Sequence, residues 1–234
     1  MNDKSKEALV GVLKSGLAAI PYVGGLFNEL CFDIRGRIVQ KRVNDFTNSF
    51  IEYIKDLELN IDESIITSEI FNDVYISILK RVTETRCEYK LNIFKEILKS
   101  NILVPYESDF KETFLELVNK LDYMEIEILN IYKDTGRSGS MDIPKGAAGC
   151  ISTTTSISCK EEITKRIKEK FPKLSTIEIE GRYEFYICDL ISKSLLVDTK
   201  AIGNTWNDMG KQGLAMLYIT DFGKEFLKFI QIKV

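Results

Sequence analysis

The chain has 234 residues, 44% of them apolar and 29% charged, with a net charge of −3 and no histidine. That length and apolar content suit one large or two small cored domains and exclude wholesale disorder. The charge and a pI near 5.4 exclude a general field for nucleic acid or anionic lipid. Without imidazole there are no Ser-His or Cys-His nucleophile pairs, no histidine general base and almost none of the common zinc sites. The five cysteines (Cys31, Cys87, Cys150, Cys159, Cys188) are scattered, and no cleavable leader is recognisable. The expectation is free thiols in a reducing cytoplasm and no metal.

In chain order, Leu9, Val10, Leu13, Leu17 and Ile20 share one side of a predicted helix from Asp3 to Ala19. Pro21 ends or kinks it, and Gly24-Gly25 supply a corner. A second apolar series, Phe27, Leu30, Cys31, Ile34, Ile38, Phe46, Phe50, Tyr53, Ile54 and Leu57, predicts one helix of roughly 45 Å and an antiparallel hairpin with the first. The uncharged stretch Ser15 to Asn28 at this corner is too short to span a bilayer, which takes roughly 20 apolar residues. Leu17, Ile20, Tyr22, Val23, Leu26 and Phe27, followed by the basic cluster Arg35, Arg37, Lys41 and Arg42, are candidates for membrane contact or self-association. Burial in the protein's own core is the competing destination for the same residues.

Helical periodicity resumes with Ile66, Ile70, Val74, Ile78 and Val82, then Tyr89, Ile93, Phe94 and Ile97, closing at Ser100-Asn101. Residues 1–104 therefore form an amphipathic helical bundle. Pro105 marks the expected boundary to a second domain, 105–234. Ser108 and Asp109 cap a helix carrying Phe110, Phe114, Leu117 and Val118. Asp122 with Glu125 has the form of a capping box opening another. Residues 134–158, rich in Gly, Ser and Thr, form a long insertion of the kind that is mobile or makes contacts. Its GRSGS and PKGAAG segments lack the spacing and the preceding strand of a phosphate loop. Ser158 with Glu161 opens a helix through Phe171, Pro172 stops it, and Ile177 to Leu196 is the next. LLVDT and AMLYIT have strand character and flank a polar loop with the only tryptophan, Trp206; TDFGKEFLKFI closes as a helix.

Three helices, a strand, a long turn, a strand and a helix resemble the winged-helix fold. LYITDFGKEFLKF looks like that family's wing strand and its leucine-Thr-x-x-Gly-x-x-phenylalanine helix start. The resemblance implies a mainly α protein with an N-terminal bundle and a winged-helix-like α+β carboxy-terminal domain. Reading DNA with the third helix requires outward Arg, Lys, Asn or Gln. That helix carries Glu178, Glu180, Glu184 and Asp189 against Arg182 and Lys193, whereas the helix before it is basic, with Lys160, Lys165, Arg166, Lys168, Lys170 and Lys173. Lys165, Arg166, Lys168 and Trp206 are the candidate contacts to a partner or to nucleic acid.

GLAAIPYVGGLFNE with the helices after it, and the LYITDFGKEF ending, together resemble the bacterial abortive-infection alpha proteins. The resemblance implies antiphage defence by a non-enzymatic effector or adaptor. Its N-terminal helices would act through membrane association or self-assembly, and its winged helix would bind a partner. No cofactor and no small-molecule substrate is expected, and the expected location is cytoplasmic, with contact to the inner face of the cell membrane left open. The alternative is a winged-helix regulator that binds nucleic acid.

Overall fold

A computed structural model describes residues 7, 10–13, 34–57, 63–103, 106, 108–135, 159–198 and 217–230. Among these the chain is mainly helical, with one two-stranded antiparallel sheet near the carboxy terminus. The elements are α1 (Ile34–Asp56), α2 (Glu63–Ile66), α3 (Glu69–Glu84), α4 (Glu88–Leu103), α5 (Lys111–Lys120), α6 (Tyr123–Thr135), α7 (Cys159–Lys170), α8 (Thr176–Ser192), β1 (Leu196–Asp198), β2 (Leu217–Ile219) and α9 (Asp221–Ile230). They form two compact units, Met1–Lys120 with Phe229–Val234, and Leu121–Lys228. The division lies after Lys120 and not at Pro105. The reason is α5, which buries Phe114, Leu115, Leu117 and Val118 and packs on α3 and α4.

In the first unit, Phe46, Phe50 and Ile54 recur every four residues, so α1 presents one buried stripe to α3 and α4. Tyr75 is fully buried within this core. Its hydroxyl donates to the Leu13 carbonyl oxygen at 3.0 Å and accepts from Thr47 Oγ1 at 2.9 Å. Burial pushes the Tyr75 phenol up to about 12, so it stays a neutral donor at any physiological pH. The single helical run expected from Ile66 to Val82 is broken at Thr67-Ser68. Ser68 adopts extended backbone and its Oγ accepts from the Phe71 N–H at 3.2 Å, capping α3. Phe229, from the chain's closing segment, sets its ring 4.9 Å from that of Tyr106 and 5.4 Å from that of Phe114.

The second unit assembles α6, α7 and α8 with the small sheet, whose register pairs Leu196 with Ile219, Val197 with Tyr218 and Asp198 with Leu217. A capping box starts α8: the Ser175 N–H donates to Glu178 Oε2 at 2.8 Å while Ser175 Oγ accepts from the Glu178 N–H at 3.4 Å. The helix expected to continue to Leu196 stops at Ser192. Ser194 has φ 60°, its N–H donates to the Ile191 carbonyl at 2.9 Å, and the Leu195 N–H donates to the Leu190 carbonyl at 3.0 Å. These two bonds are a Schellman stop, a left-handed position that glycine fills without steric cost. Ser194→Gly is therefore expected to stabilise the second unit by about 1 kcal/mol, read as a higher thermal midpoint; an unchanged or lower midpoint contradicts it.

Immediately after β2, Thr220 ties this turn to the last helix. Its N–H donates to the Leu195 carbonyl at 3.1 Å, its hydroxyl donates to the Ser194 carbonyl at 2.6 Å, and Oγ1 accepts from the Gly223 N–H at 2.9 Å. The Thr-x-x-Gly spacing has a local cause: the threonine caps α9 and the glycine lets α9 lie against the turn that ends α8.

Candidate functional site

The basic helix α7 buries Ile163 and Ile167 and turns Lys160, Lys165 and Lys168 to solvent. Part of its charge is paired in place. Arg166 Nη2 lies 2.6 Å from Glu162 Oε1, and Nη1 lies 3.9 Å from Glu127 Oε1. The Glu162 hydrogen bond raises the affinity of the Arg166 guanidinium for its proton further. Lys165 lies 4.0 Å from Glu169, and the Lys170 ammonium sits 4.6 Å from the centre of the Tyr123 ring. Of the predicted contact residues, Lys165 and Lys168 are exposed side by side on α7, Arg166 is half-buried in an ion-pair network, and Trp206 lies outside the described residues. A phosphate backbone would have to compete with these carboxylates for Arg166 and, more weakly, for Lys165.

Helix α8 has the opposite character. Ile179, Tyr183, Tyr186, Ile187 and Leu190 face the core, and at 3.6 residues per turn that phase sends Ile177 and Phe185 outward. Ile177 is 83% exposed and Phe185 63%, the highest values for large apolar side chains among the described residues. Around them Glu178, Glu180, Glu184, Gly181 and Cys188 are also exposed. Arg182 folds back, its guanidinium 4.3 Å from the Phe171 ring centre. Ile177 opens the expected helix but does not join its buried stripe. The interval from Ile177 through Gly181 to Phe185, out of phase with Tyr183 and Tyr186, is the signal that separates the two faces.

Between α6 and α8 the structure places a carboxyl pair that spacing alone does not reveal. Glu125 is 2% exposed. Its Oε2 accepts from the Asp122 N–H at 2.7 Å, completing one half of the predicted capping box, while Oε1 is buried without an N–H donor. Asp189, from α8, shares a hydrogen bond with it and is in turn ion-paired with Lys193. Two adjacent carboxylates cannot both ionise in such a site. Burial first, and the Asp189 hydrogen bond second, push Glu125 up to about 8, so it carries the proton. The hydrogen bond from Glu125, with help from Lys193, holds Asp189 below its ordinary range. Glu125 is shut off from solvent, while Asp189 keeps part of its side chain exposed beside Lys193.

In the first unit, α1 displays Arg37 and Lys41 to solvent one turn apart. Arg42 behaves differently: its Nη1 donates to the Thr83 carbonyl at 2.5 Å, in the last turn of α3, where a cation complements the helix dipole. It is a structural tie between two helices and is withdrawn from the predicted basic cluster. The Arg35 side chain and Leu17, Ile20, Tyr22, Val23, Leu26 and Phe27 lie outside the described residues. A half-buried polar cluster joins α1 to α4. There Tyr53 donates to Glu96, the Lys99 ammonium reaches the Tyr53 hydroxyl at 3.0 Å, and Lys95 donates to Ser49 Oγ at 2.7 Å. Each of these donors has an acceptor, which accounts for the cluster as a helix-to-helix bond.

Among the described residues, no three His, Cys, Asp or Glu side chains gather in a way that would hold a metal ion, and no helix is long and apolar enough to cross a membrane. No family model matches the chain, and no curated protein or solved structure is detectably similar to it.

Proposed function

We propose that this chain is a non-enzymatic interaction protein whose carboxy-terminal unit is a winged-helix variant that contacts protein and not DNA. The observation that supports it is the outer face of α8: two exposed large apolar side chains among three glutamates, with the one nearby arginine laid over Phe171. Such a face repels phosphate and offers apolar area to a protein surface. The abortive-infection resemblance gives this reading a setting, bacterial antiphage defence. There the N-terminal helices, with Arg37 and Lys41 outward on α1, would meet an anionic membrane surface or further copies of the chain.

The lysines of α7 favour one alternative, a nucleic-acid-binding regulator using Lys165 and Lys168. A gel-shift titration of the full chain against duplex DNA at low salt separates the two. No shift is expected. A salt-sensitive shift abolished by Lys165→Glu with Lys168→Glu would overturn the protein-contact reading. Flotation with vesicles containing anionic lipid, alongside growth of a bacterial host expressing the chain, tests the effector setting. Vesicle binding and growth arrest are expected, and the absence of both removes it.

A further inference from the structure

We propose that the outer face of α8 is the docking site for a basic amphipathic helix of a partner protein. That helix seats one bulky apolar side chain over Gly181 and sets lysines or arginines against the flanking glutamates. The proposal rests on the protein-contact reading of this face and names the chemistry of its occupant.

The shape of the face comes from an interrupted row. Ile177, Gly181 and Phe185 follow one another at intervals of four, so they form a single ridge along the helix with the glycine as a gap in its middle. Both ends of the ridge project into solvent. Nothing inside the chain fills the gap, since a Cβ built at Gly181 meets nothing within 4 Å. Glycine in the interior of a 17-residue helix is less favourable than alanine, and internal packing supplies no reason for it here. Gly223, in the same unit, is the contrast: its missing side chain is explained by the Leu195 carbonyl and Ile219. A second helix whose large side chain drops between Ile177 and Phe185 supplies the reason at Gly181, because ridge-into-groove packing there brings two backbones close.

Charge selects the partner. At about 100° per residue, Glu178 lies about 60° to one side of Gly181 and Glu184 about 60° to the other, with Glu180 one turn before Glu184 on the same flank. The apolar row therefore runs between exposed carboxylates on both sides. The cations of the helix and its C-cap are engaged elsewhere, Arg182 on the Phe171 ring and Lys193 with Asp189. Glu178 is also held in place: its Oε2 accepts from the Ser175 N–H at 2.8 Å and from Ser175 Oγ at 2.7 Å. These bonds keep its carboxyl below the ordinary range. An acceptor already fixed in this way loses little freedom when a cation docks. A second copy of the chain would bring the same carboxylates to the same patch, and phosphate or anionic lipid would be repelled as well. A cationic helix is attracted and oriented by them.

Fluorescence anisotropy of two labelled model helices with the full chain tests this. Both carry the same leucine stripe, flanked by lysines in one and by glutamates in the other. The lysine helix is expected to bind with a dissociation constant on the order of tens of micromolar, which suits a contact at the small end of specific interfaces. The glutamate helix should bind about tenfold more weakly or worse. Glu180→Lys with Glu184→Lys should weaken the lysine helix by about tenfold. Glu52→Lys with Asp56→Lys makes the same change of net charge at exposed positions of α1 and should leave binding within about twofold. Phe185→Ala and Gly181→Gln alter no charge, and each should weaken binding by about fivefold. Gly181→Gln does so by filling the gap, while a better helix former in open space keeps or raises the thermal midpoint.

Absence of saturable binding by the lysine helix overturns the proposal. So does an equal loss in the α1 pair, which marks a general field, or binding that Phe185→Ala and Gly181→Gln both leave unchanged. Self-association in sedimentation velocity that Phe185→Ala removes would give the face to a second copy and overturn it too. Preferred binding of the glutamate helix, with the same dependence on Phe185, overturns the charge assignment and leaves the protein-contact reading intact. That reading itself falls only to the DNA shift carried by Lys165 and Lys168, so the two failures are distinct.

Discussion

Gly223→Ala is expected to destabilise the carboxy-terminal unit by on the order of 3 kcal/mol, the upper range for overpacking. A Cβ at this position would lie 2.4 Å from the Leu195 carbonyl oxygen and 2.9 Å from Ile219 Cγ1. The first of these is backbone and cannot rotate away. That same carbonyl accepts from the Thr220 N–H and belongs to the residue that closes the α8 stop, so moving it breaks the cap of α9 and the Schellman turn together. Hydrogen exchange of the β1 and β2 amides reports this unit separately from the first. Exchange in the variant should accelerate by about two powers of ten or more. Gly181→Ala is the matched control, the same added methyl in open space, and should leave exchange unchanged or slow it, since alanine is favoured by up to about 1 kcal/mol in a helix interior. If the two alanine variants behave alike, the steric account of the Thr-x-x-Gly segment is wrong.

That segment also shows what can be read from the sequence and why. Thr220, Gly223 and Phe226 follow one another at intervals of three along the chain, so their spacing carries their geometry, and the helix they open is where the pattern places it. The amphipathic helices are legible for the same reason: Phe46, Phe50 and Ile54, or Val74, Ile78 and Val82, report their common face through a 3.6-residue period, whereas Ile70, expected in the second series, is exposed and Phe71 beside it takes the buried position. Boundaries are less legible. The α8 stop depends on Ser194 adopting a left-handed conformation that serine rarely signals, and the apolar pattern runs on to Leu196. The division between units lies after Lys120 because α5 turns its apolar face to α3 and α4, a tertiary choice that Pro105 does not announce. Arg42 reads as part of a basic surface because nothing local connects it to Thr83, a partner 41 positions away. The outward direction of Ile177 and Phe185 is encoded, but only relative to Tyr183 and Tyr186, whose burial decides the phase.

The carboxyl pair is invisible to spacing, since Glu125 and Asp189 are brought together only by the packing of α6 on α8, and it carries the second large effect. With Glu125 pushed up to about 8 from an ordinary 4.5, the folded chain holds a proton that the unfolded chain releases across that interval. The contribution is complete below pH 4.5, declines as pH rises, and is gone above about 8. Asp189 works in the opposite sense. Held below 3.8, it contributes above that value and loses its contribution only as pH falls further, so it does not offset the slope at neutral and alkaline pH. The charged groups facing Glu125 are Asp189 and Lys193, both from the α8 end; on the α7 side Arg166 engages Glu162 and Glu127 instead, and Tyr218 of β2 points to solvent. Because the chain has no histidine, no ordinary imidazole titration obscures this window. Urea unfolding at about pH 5, 6.5 and 8 should therefore show the wild type losing on the order of 2 kcal/mol toward the alkaline end. Glu125→Gln mimics the protonated acid, its amide N–H donating to Asp189 and its oxygen still accepting from the Asp122 N–H. Its stability should be nearly flat from about pH 5 to 8, close to the wild type at the acid end and above it at the alkaline end. Asp189→Asn removes the neighbouring charge and should shift the wild-type decline to lower pH. A Gln variant whose profile runs parallel to the wild type would show that the proton is held elsewhere.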